Sequence, residues 1–331
     1  MHVDWLDREN LDSHDLAGAV ALLEAARQVD CPHELSPTTS TYAARLRHGW
    51  DGDPPLVGLA RDGSRRVVGV LEVGLPHWDN THSGSVEVTV DPLERRQGLG
   101  RRLFELGVDK VRAAGRSLIL TDCFERPGSL AFCRAMGLEQ ASVEVQRRQD
   151  LRALDWVRLD REFAAAQHRA ADYELVRLAG PIPAELLADV VRVAASINDA
   201  PTDGLDIEDE VFSPQRQRAF EAAQTAMNQR HYRLVARHRG TGELAGHTMV
   251  AVDGERPGFG TQEDTSVLRA HRGRRLGLFL KIAMLRWLHE EEPQLRTLDT
   301  WNAESNAHMV AVNEALGYTV VARGIDWQRH L

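Results

Sequence analysis

Apolar and polar residues alternate from Ser85 to Val90, the period of a strand with one buried face. Just beyond, Leu99, Leu103, Leu106 and Val111 recur at helical spacing. Leu118–Thr121 then reads as a strand and Ser129–Arg134 as a helix. The second half repeats the succession. Tyr173–Leu178 is a strand, Tyr232–Ala236 and Thr248–Val252 pair as a meander, as Val67–Val73 does in the first half, and Thr297 onward is a strand. Met309, Val312, Asn313 and Leu316 make a helix that Gly317 ends. Each half thus runs strand, helices, antiparallel meander, strand, helix, strand, helix. That order predicts an α+β fold, a mostly antiparallel mixed sheet flanked by helices.

The repetition has landmarks. Val90-Asp91-Pro92-Leu93-Glu94-Arg95-Arg96-Gln97-Gly98-Leu99-Gly100 leaves a strand and enters a helix, as does Val267-Leu268-Arg269-Ala270-His271-Arg272-Gly273-Arg274-Arg275-Leu276-Gly277. Their last glycines lie 177 positions apart, and Gly137 and Gly317, each closing a later helix, lie 180 apart. Two features at nearly one offset imply two copies of one domain. The expected organisation is 1–150, a connector over 151–172, and 173–331. The connector lacks Gly, Ser and Pro and holds Leu151–Val157 and Phe163–Ala166, which favour helix.

Both loops have the make-up of an anion site. Glycine admits close approach of backbone to ligand. The first helical turn offers unpaired N–H groups and the positive end of the dipole. Arginines add charge-assisted hydrogen bonds to phosphate oxygens. Neither dinucleotide-fold nor P-loop glycine spacing is present. The pattern resembles the Arg/Gln-x-x-Gly-x-Gly/Ala loop of the GNAT acetyltransferase superfamily, where it holds the pyrophosphate of coenzyme A. Arg95–Gly100 matches fully; Arg272–Gly277 carries Arg275 in place of the first glycine, with Gly273 two positions earlier. The amide-rich turn after Thr297 strengthens the likeness, because in that family an Asn here contacts the pantetheine arm. Asn306 fits that position, and Arg126 stands at its equivalent in the first half.

The resemblance implies two tandem GNAT-like domains and an N-acetyltransferase using acetyl-CoA or another acyl-CoA, without a metal. Its cofactor positions fall on Val88, Val90, Arg95, Arg96, Gln97, Gly98, Leu99, Gly100 and Arg101, and on Thr265, Val267, Arg272, Gly273, Arg274, Arg275, Leu276, Gly277, Asn302 and Asn306. The family's base is a carboxylate on the strand before the loop: Glu87 in the first copy, Glu263 or Asp264 in the second. Adjacent residues face opposite sides of a strand, so one of that pair points to the cleft. By analogy with tandem members that keep one active domain, chemistry is expected in the second copy. The tyrosine that often precedes the Gly-aromatic landmark is replaced by Cys133 and Asn313, leaving Tyr318 as the nearby candidate acid. Cys133 itself reads as a buried structural thiol.

Charge and cysteine content narrow the partners. A net charge of −9 disfavours nucleic acid, which needs a basic face. No apolar run is long enough for a membrane span. Met1–Asp7 is acidic, unlike a secretory signal, and three scattered cysteines suit a reducing cytoplasm. Asp199, Asp203, Asp206, Glu208, Asp209 and Glu210 crowd one segment. It reads either as a solvated loop or as a lid that attracts a cationic acceptor, such as a polyamine or an aminosugar-like compound. The expected partner is a small-molecule amine, with the protein a monomer or homodimer. The competing readings are a non-catalytic acyl-CoA or amine binder, and a protein or peptide N-acetyltransferase.

Overall fold

The computed structural model describes residues 2–331 and forms two compact units. The first comprises the chain up to Glu144 with Thr202–Asp209 and Ala322–Leu331; the second comprises Val145–Pro201 and Glu210–Val321. The first unit is therefore not one continuous stretch. It takes its last strand residues from the C-terminus and a short acidic piece from mid-chain.

In the first unit β1 (Val3–Trp5), α1 (Ser13–Asp30), α2 (Thr39–His48), β2 (Leu56–Arg61) and β3 (Val67–Gly74) precede β4 (Ser83–Val90). Then come α3 (Leu99–Ala113), β5 (Leu118–Phe124), α4 (Pro127–Ala135) and β6 (Glu139–Asp150), whose second half lies in the other unit. Strands β1 to β4 are antiparallel neighbours, and β4 meets β5 in parallel. Period-two alternation sorts the core. Val57, Leu59 and Val70 face Leu16, Leu22, Tyr42 and Leu46 of α1 and α2. Leu71, Val73 and Val86 face Leu99, Leu103, Phe104 and Val108 of α3.

The second unit continues with α5 (Trp156–Arg169), β7 (Tyr173–Ala179), α6 (Ala184–Ala194), α7 (Pro214–Ala226), β8 (Gln229–His238), β9 (Leu244–Asp253) and β10 (Phe259–Val267). It ends with α8 (Leu276–Glu291), β11 (Thr297–Ala303), α9 (Ala307–Ala315) and the start of β12 (Thr319–His330). Strands β7 to β10 are antiparallel, and β10 meets β11 in parallel. The far end of β12 pairs antiparallel with β5 in the first unit, Gly324 opposite Phe124 through His330 opposite Leu118.

The 151–172 stretch does more than connect. Leu159 and Ala166 of α5 are wholly buried against Phe279, Ile282 and Leu285 of α8, so α5 belongs to the second unit's core. Cutting a buried leucine such as Leu159 to alanine costs about 2–5 kcal/mol. Among the described residues no helix is long and apolar enough to cross a membrane.

Candidate active site

Each parallel pair opens after three residues. Ser83, Gly84 and Ser85 of β4 pair with Leu118, Ile119 and Leu120; Phe259, Gly260 and Thr261 of β10 pair with Thr297, Leu298 and Asp299. Beyond Ser85 and Thr261 no further parallel pairing follows, so each strand leaves backbone groups facing a cleft that its loop closes. Val88 and Val90 pack half-buried against the first unit's core and Val267 against the second's, while Thr265 is buried with its hydroxyl held by Thr248 Oγ1 at 2.7 Å.

The two loops share one backbone conformation despite their different sequences. Left-handed φ occurs at Arg96 (65°) and Gly98 (83°), and at Gly273 (80°) and Arg275 (58°). These are the same two positions with glycine and arginine exchanged. The displaced Gly273 thus serves one left-handed position and Arg275 is forced into the other, at a strain of roughly 1–2 kcal/mol. Leu99 and Leu276 anchor the following helices in the cores. A Cβ on Gly98 or Gly273 would meet nothing within 4 Å, and one on Gly277 would meet Thr265 Cγ2 at 3.9 Å. One on Gly100 would press Phe132 at 3.2 Å. The loops are thus open anion cradles at the N-termini of α3 and α8, a fit for the pyrophosphate of coenzyme A.

Several arginines expected to grip phosphate are otherwise engaged. Arg95 donates from Nη1 and Nη2 to Asp30 Oδ1 and Oδ2 at 2.9 and 2.6 Å, and from Nε to the Val90 carbonyl at 3.1 Å. Arg272 repeats this, donating to Asp199 and, from Nε, to the Val267 carbonyl at 2.9 Å. Arg274 donates to the Tyr173 hydroxyl and Arg275 to Glu162 Oε2 at 2.9 Å. Arg101 reaches the Ala135 carbonyl at 3.3 Å, and Gln97 donates weakly to Glu94 at 3.4 Å. Arg96 is exposed at the loop's crest. Side chains therefore pin the loops while backbone N–H groups remain for the ligand.

The clefts differ in their strands. Between Gln262 and Thr265 the β10–β9 register slips by one residue, so Glu263 and Asp264 form a β-bulge. The β4–β3 ladder runs regularly through Glu87. Burial, and then the Asp264 charge, push Glu263 up to about 8. Burial raises Asp264 too, opposed by Arg233. In the first unit Glu87 keeps solvent contact, yet packed protein around it and then Glu72 and Asp122 push it up to about 7. Glu72, its cross-strand partner, accepts from Tyr42 Oη at 3.0 Å and Arg45 at 2.6 Å.

The remaining candidates sit at the helix following each cleft. Asn306 caps α9, its Oδ1 accepting from Met309 N at 3.2 Å, and Asn302 Oδ1 accepts from Asn313 Nδ2 at 2.7 Å. Arg126, at the matching cap of α4, donates to the Asp30 carbonyl at 2.7 Å. Tyr318 is 4% exposed, in the core, with Lys281 Nζ 5.6 Å from its ring. Cys133 is buried with Cys123 Sγ 3.9 Å away.

The acidic segment divides. Asp199 is the ion-pair partner of Arg269 and Arg272. Thr202–Asp209 docks on the first unit: Gly204 N donates to the Ala141 carbonyl at 3.1 Å, Asp206 N to Gln328 at 2.9 Å, and Glu208 N to Asn80 at 2.7 Å. Asp30 and the bulge are functional features with no motif in the sequence. Asp30 lies 65 residues from Arg95, and nothing local marks either feature.

The sequence pattern of the acetyltransferase (GNAT) family matches residues 21–138 and 201–318. No curated protein matches the sequence. A tandem GNAT protein from the clavulanic acid biosynthesis pathway, in its form without AcCoA, is 27% identical at a TM-score of 0.82, over 99% of this chain and 98% of that one. A GCN5-related N-acetyltransferase from Sphaerobacter thermophilus shares the fold at 15% identity and a TM-score of 0.65, over 99% and 95%. A GCN5-related glucosamine N-acetyltransferase region of a fungal multi-domain GH3 beta-N-acetylglucosaminidase does so at 14% and 0.69, over 99% of this chain and 38% of that one.

Proposed function

The chain belongs to the acetyltransferase (GNAT) family, and from that premise we propose that it acylates the amine of a small molecule from acetyl-CoA, with chemistry in the second unit. The carrying observation is the Glu263–Asp264 bulge at the mouth of the opened β10–β11 pair. Bound acyl-CoA supplies an activated acyl thioester. An ammonium has no lone pair, so a carboxylate must first take its proton, and Glu263, poised near 8, is matched to that task at neutral to mildly alkaline pH. A bulge frees backbone groups from the ladder, and a freed N–H can donate to an oxygen that gains charge. Backbone N–H groups of Gly273–Gly277 would hold the pyrophosphate, and Arg272 fixes the loop's base through Asp199. Asn302 and Asn306, at the end of β11 and the cap of α9, would border the arm of the cofactor.

Tyr318 is left out of this mechanism because its hydroxyl is buried and burial raises its pKa. The thiolate then leaves with a proton from solvent or unprotonated. In the first unit we propose cofactor binding without turnover, because its cradle is complete and its strand lacks the bulge. Release of free thiol from acetyl-CoA with a panel of amines tests transfer directly. Amine-dependent release lost in Glu263→Gln supports the reading, and no release with any amine overturns it.

A further inference from the structure

A cavity of about 270 Å³ lies in the second unit between α7, β8 and the turn after β7. Gln217, Phe220, Glu221, His231, Arg233 and Met249 line it. The base of this cavity is electrically incomplete. Arg233 is 5% exposed, and among the described residues its guanidinium donates to His247 Nδ1 at 2.6 Å and Met249 Sδ at 3.0 Å alone. Among the described residues no carboxylate makes an ion pair with it. A buried cation held by two neutral partners is costly, since burial removes its water and nothing replaces the lost charge interaction. Its level falls to about 10 for that reason, with Asp264 and Glu221 acting only from farther off.

Two histidines reinforce the deficit. His247 is wholly buried. It accepts from Arg233 at Nδ1, so its Nε2 carries the hydrogen, and that Nε2 has no partner. His231, on the cavity wall beside Phe220, also has a buried Nε2 without a partner. Burial and the Arg233 charge push His231 down to about 4, so it is neutral at pH 7. The one carboxylate of the wall, Glu221, is already satisfied: it accepts from Ile182 N at 2.9 Å and pairs with Arg218.

We propose that this cavity seats a carboxylate group of the acyl acceptor, which makes the acceptor a small amino-carboxylate. The inference rests on the acyl-transfer reading of the second unit only in identifying the bound molecule as the acceptor. A single guanidinium with a neutral histidine beside it balances one negative charge, and Glu221 in the wall repels a dianion. Arg233, Met249 and His247 share a sheet face through the β8–β9 register, and Arg233 acts electrostatically on Asp264 of the bulge. A carboxylate on Arg233 thus leaves an amine beside Asp264, the neighbour of Glu263 in the bulge. The first unit carries none of this, with Val57 and Val70 at the corresponding register positions.

The test uses N-acetylglycine as probe, with N-acetylglycinamide as its neutral twin and inorganic phosphate as the rival anion. In calorimetry of the full chain, the acid binds saturably and at least about 10-fold more tightly than the amide, a difference of the size expected for a buried charged hydrogen bond. Arg233→Met weakens the acid by about 10- to 100-fold. Should that variant unfold, histidine nitrogen NMR of the parent protein decides: the acid, not the amide, shifts the His231 and His247 resonances. Equal affinity for acid and amide, or unmoved histidine resonances, overturns the proposal, and tighter binding of phosphate overturns the carboxylate assignment. Arg233-dependent binding of N-acetylglycine without thiol release from acetyl-CoA for any amino acid upholds the carboxylate seat and defeats acyl transfer. Thiol release that is equal for amino acids and their amides defeats the seat and upholds transfer.

Discussion

Val57 and Arg233 occupy the same register position of the two units, each on the second strand, and so do Glu72 and Met249 one strand over. This one position reverses the character of the clefts. In the first unit Glu72, Glu87 and Asp122 leave an excess of negative charge near Arg45. In the second, Arg233 is buried beside two neutral histidines, with the carboxylates of Asp264 and Glu221 acting on it only from farther off. The two glycine-arginine loops, by contrast, keep one backbone path and one arginine-to-aspartate pin apiece. Duplication has therefore preserved the anchorage of the loop while the acceptor face of each copy diverged.

The largest expected effect is on turnover. Gly277→Glu places a carboxylate at the phosphate cradle and should lower kcat/KM by more than about 100-fold, since the charge opposes the anion and blocks its approach. Gly100→Glu should change it by less than about threefold, although it presses Phe132 and lowers the melting temperature. Thiol-release kinetics of both variants, with circular dichroism to confirm folding, decide; the opposite ranking would put the chemistry in the first unit.

The bases come next. Glu263→Gln should cost about 100- to 10,000-fold in kcat, the range for a positioned base, while Glu87→Gln costs little. The active form is the deprotonated one, so the parent rate should climb with pH and level off above about 8. Loss of that limb in Glu263→Gln alone sharpens the comparison, and an identical limb in the variant breaks it. The same group affects folding with a definite sign. Between its ordinary 4.5 and about 8 the folded state holds a proton the unfolded chain has released, so stability declines as pH rises through that window. Glu263→Gln should flatten the decline in denaturant melts at successive pH values.

The smallest effects test the loop path. Arg96→Gly should stabilise the chain by about 0.5–1 kcal/mol, because it relieves a left-handed arginine that is exposed. Gly98→Ala should cost about the same, since a methyl there touches nothing and only the backbone objects. Chemical denaturation resolves both. A gain from Gly98→Ala would show that the left-handed turn is not held in solution.

Much of this was legible in the chain. The helix after each loop and the strand before it follow from periods that local sequence carries, as the match of Ser85–Val90 to β4 shows. The duplication is visible because Gly100, Gly277, Gly137 and Gly317 mark turns that backbone geometry demands. The turn into each helix was legible because glycine, arginine and a helix start are adjacent in sequence.

Tertiary structure alone decided the rest. Arg95 and Arg272 look like phosphate ligands until folding brings Asp30 and Asp199 to them, and an ion pair between residues 65 or more apart leaves no local signature. Tyr318 lies beside the Gly317 landmark, but its helix end turns it inward under Lys281. The acidic run reads as one segment, yet its hydrogen bonds send Asp199 and Thr202–Asp209 to different units. The charge deficit around Arg233 also escapes the sequence, because whether a buried cation is balanced depends on what the whole fold brings within reach of it. Sequence fixes periods and turns, which are short-range; the balance of buried charge is settled by long-range contacts, and those exist only once the chain has closed on itself.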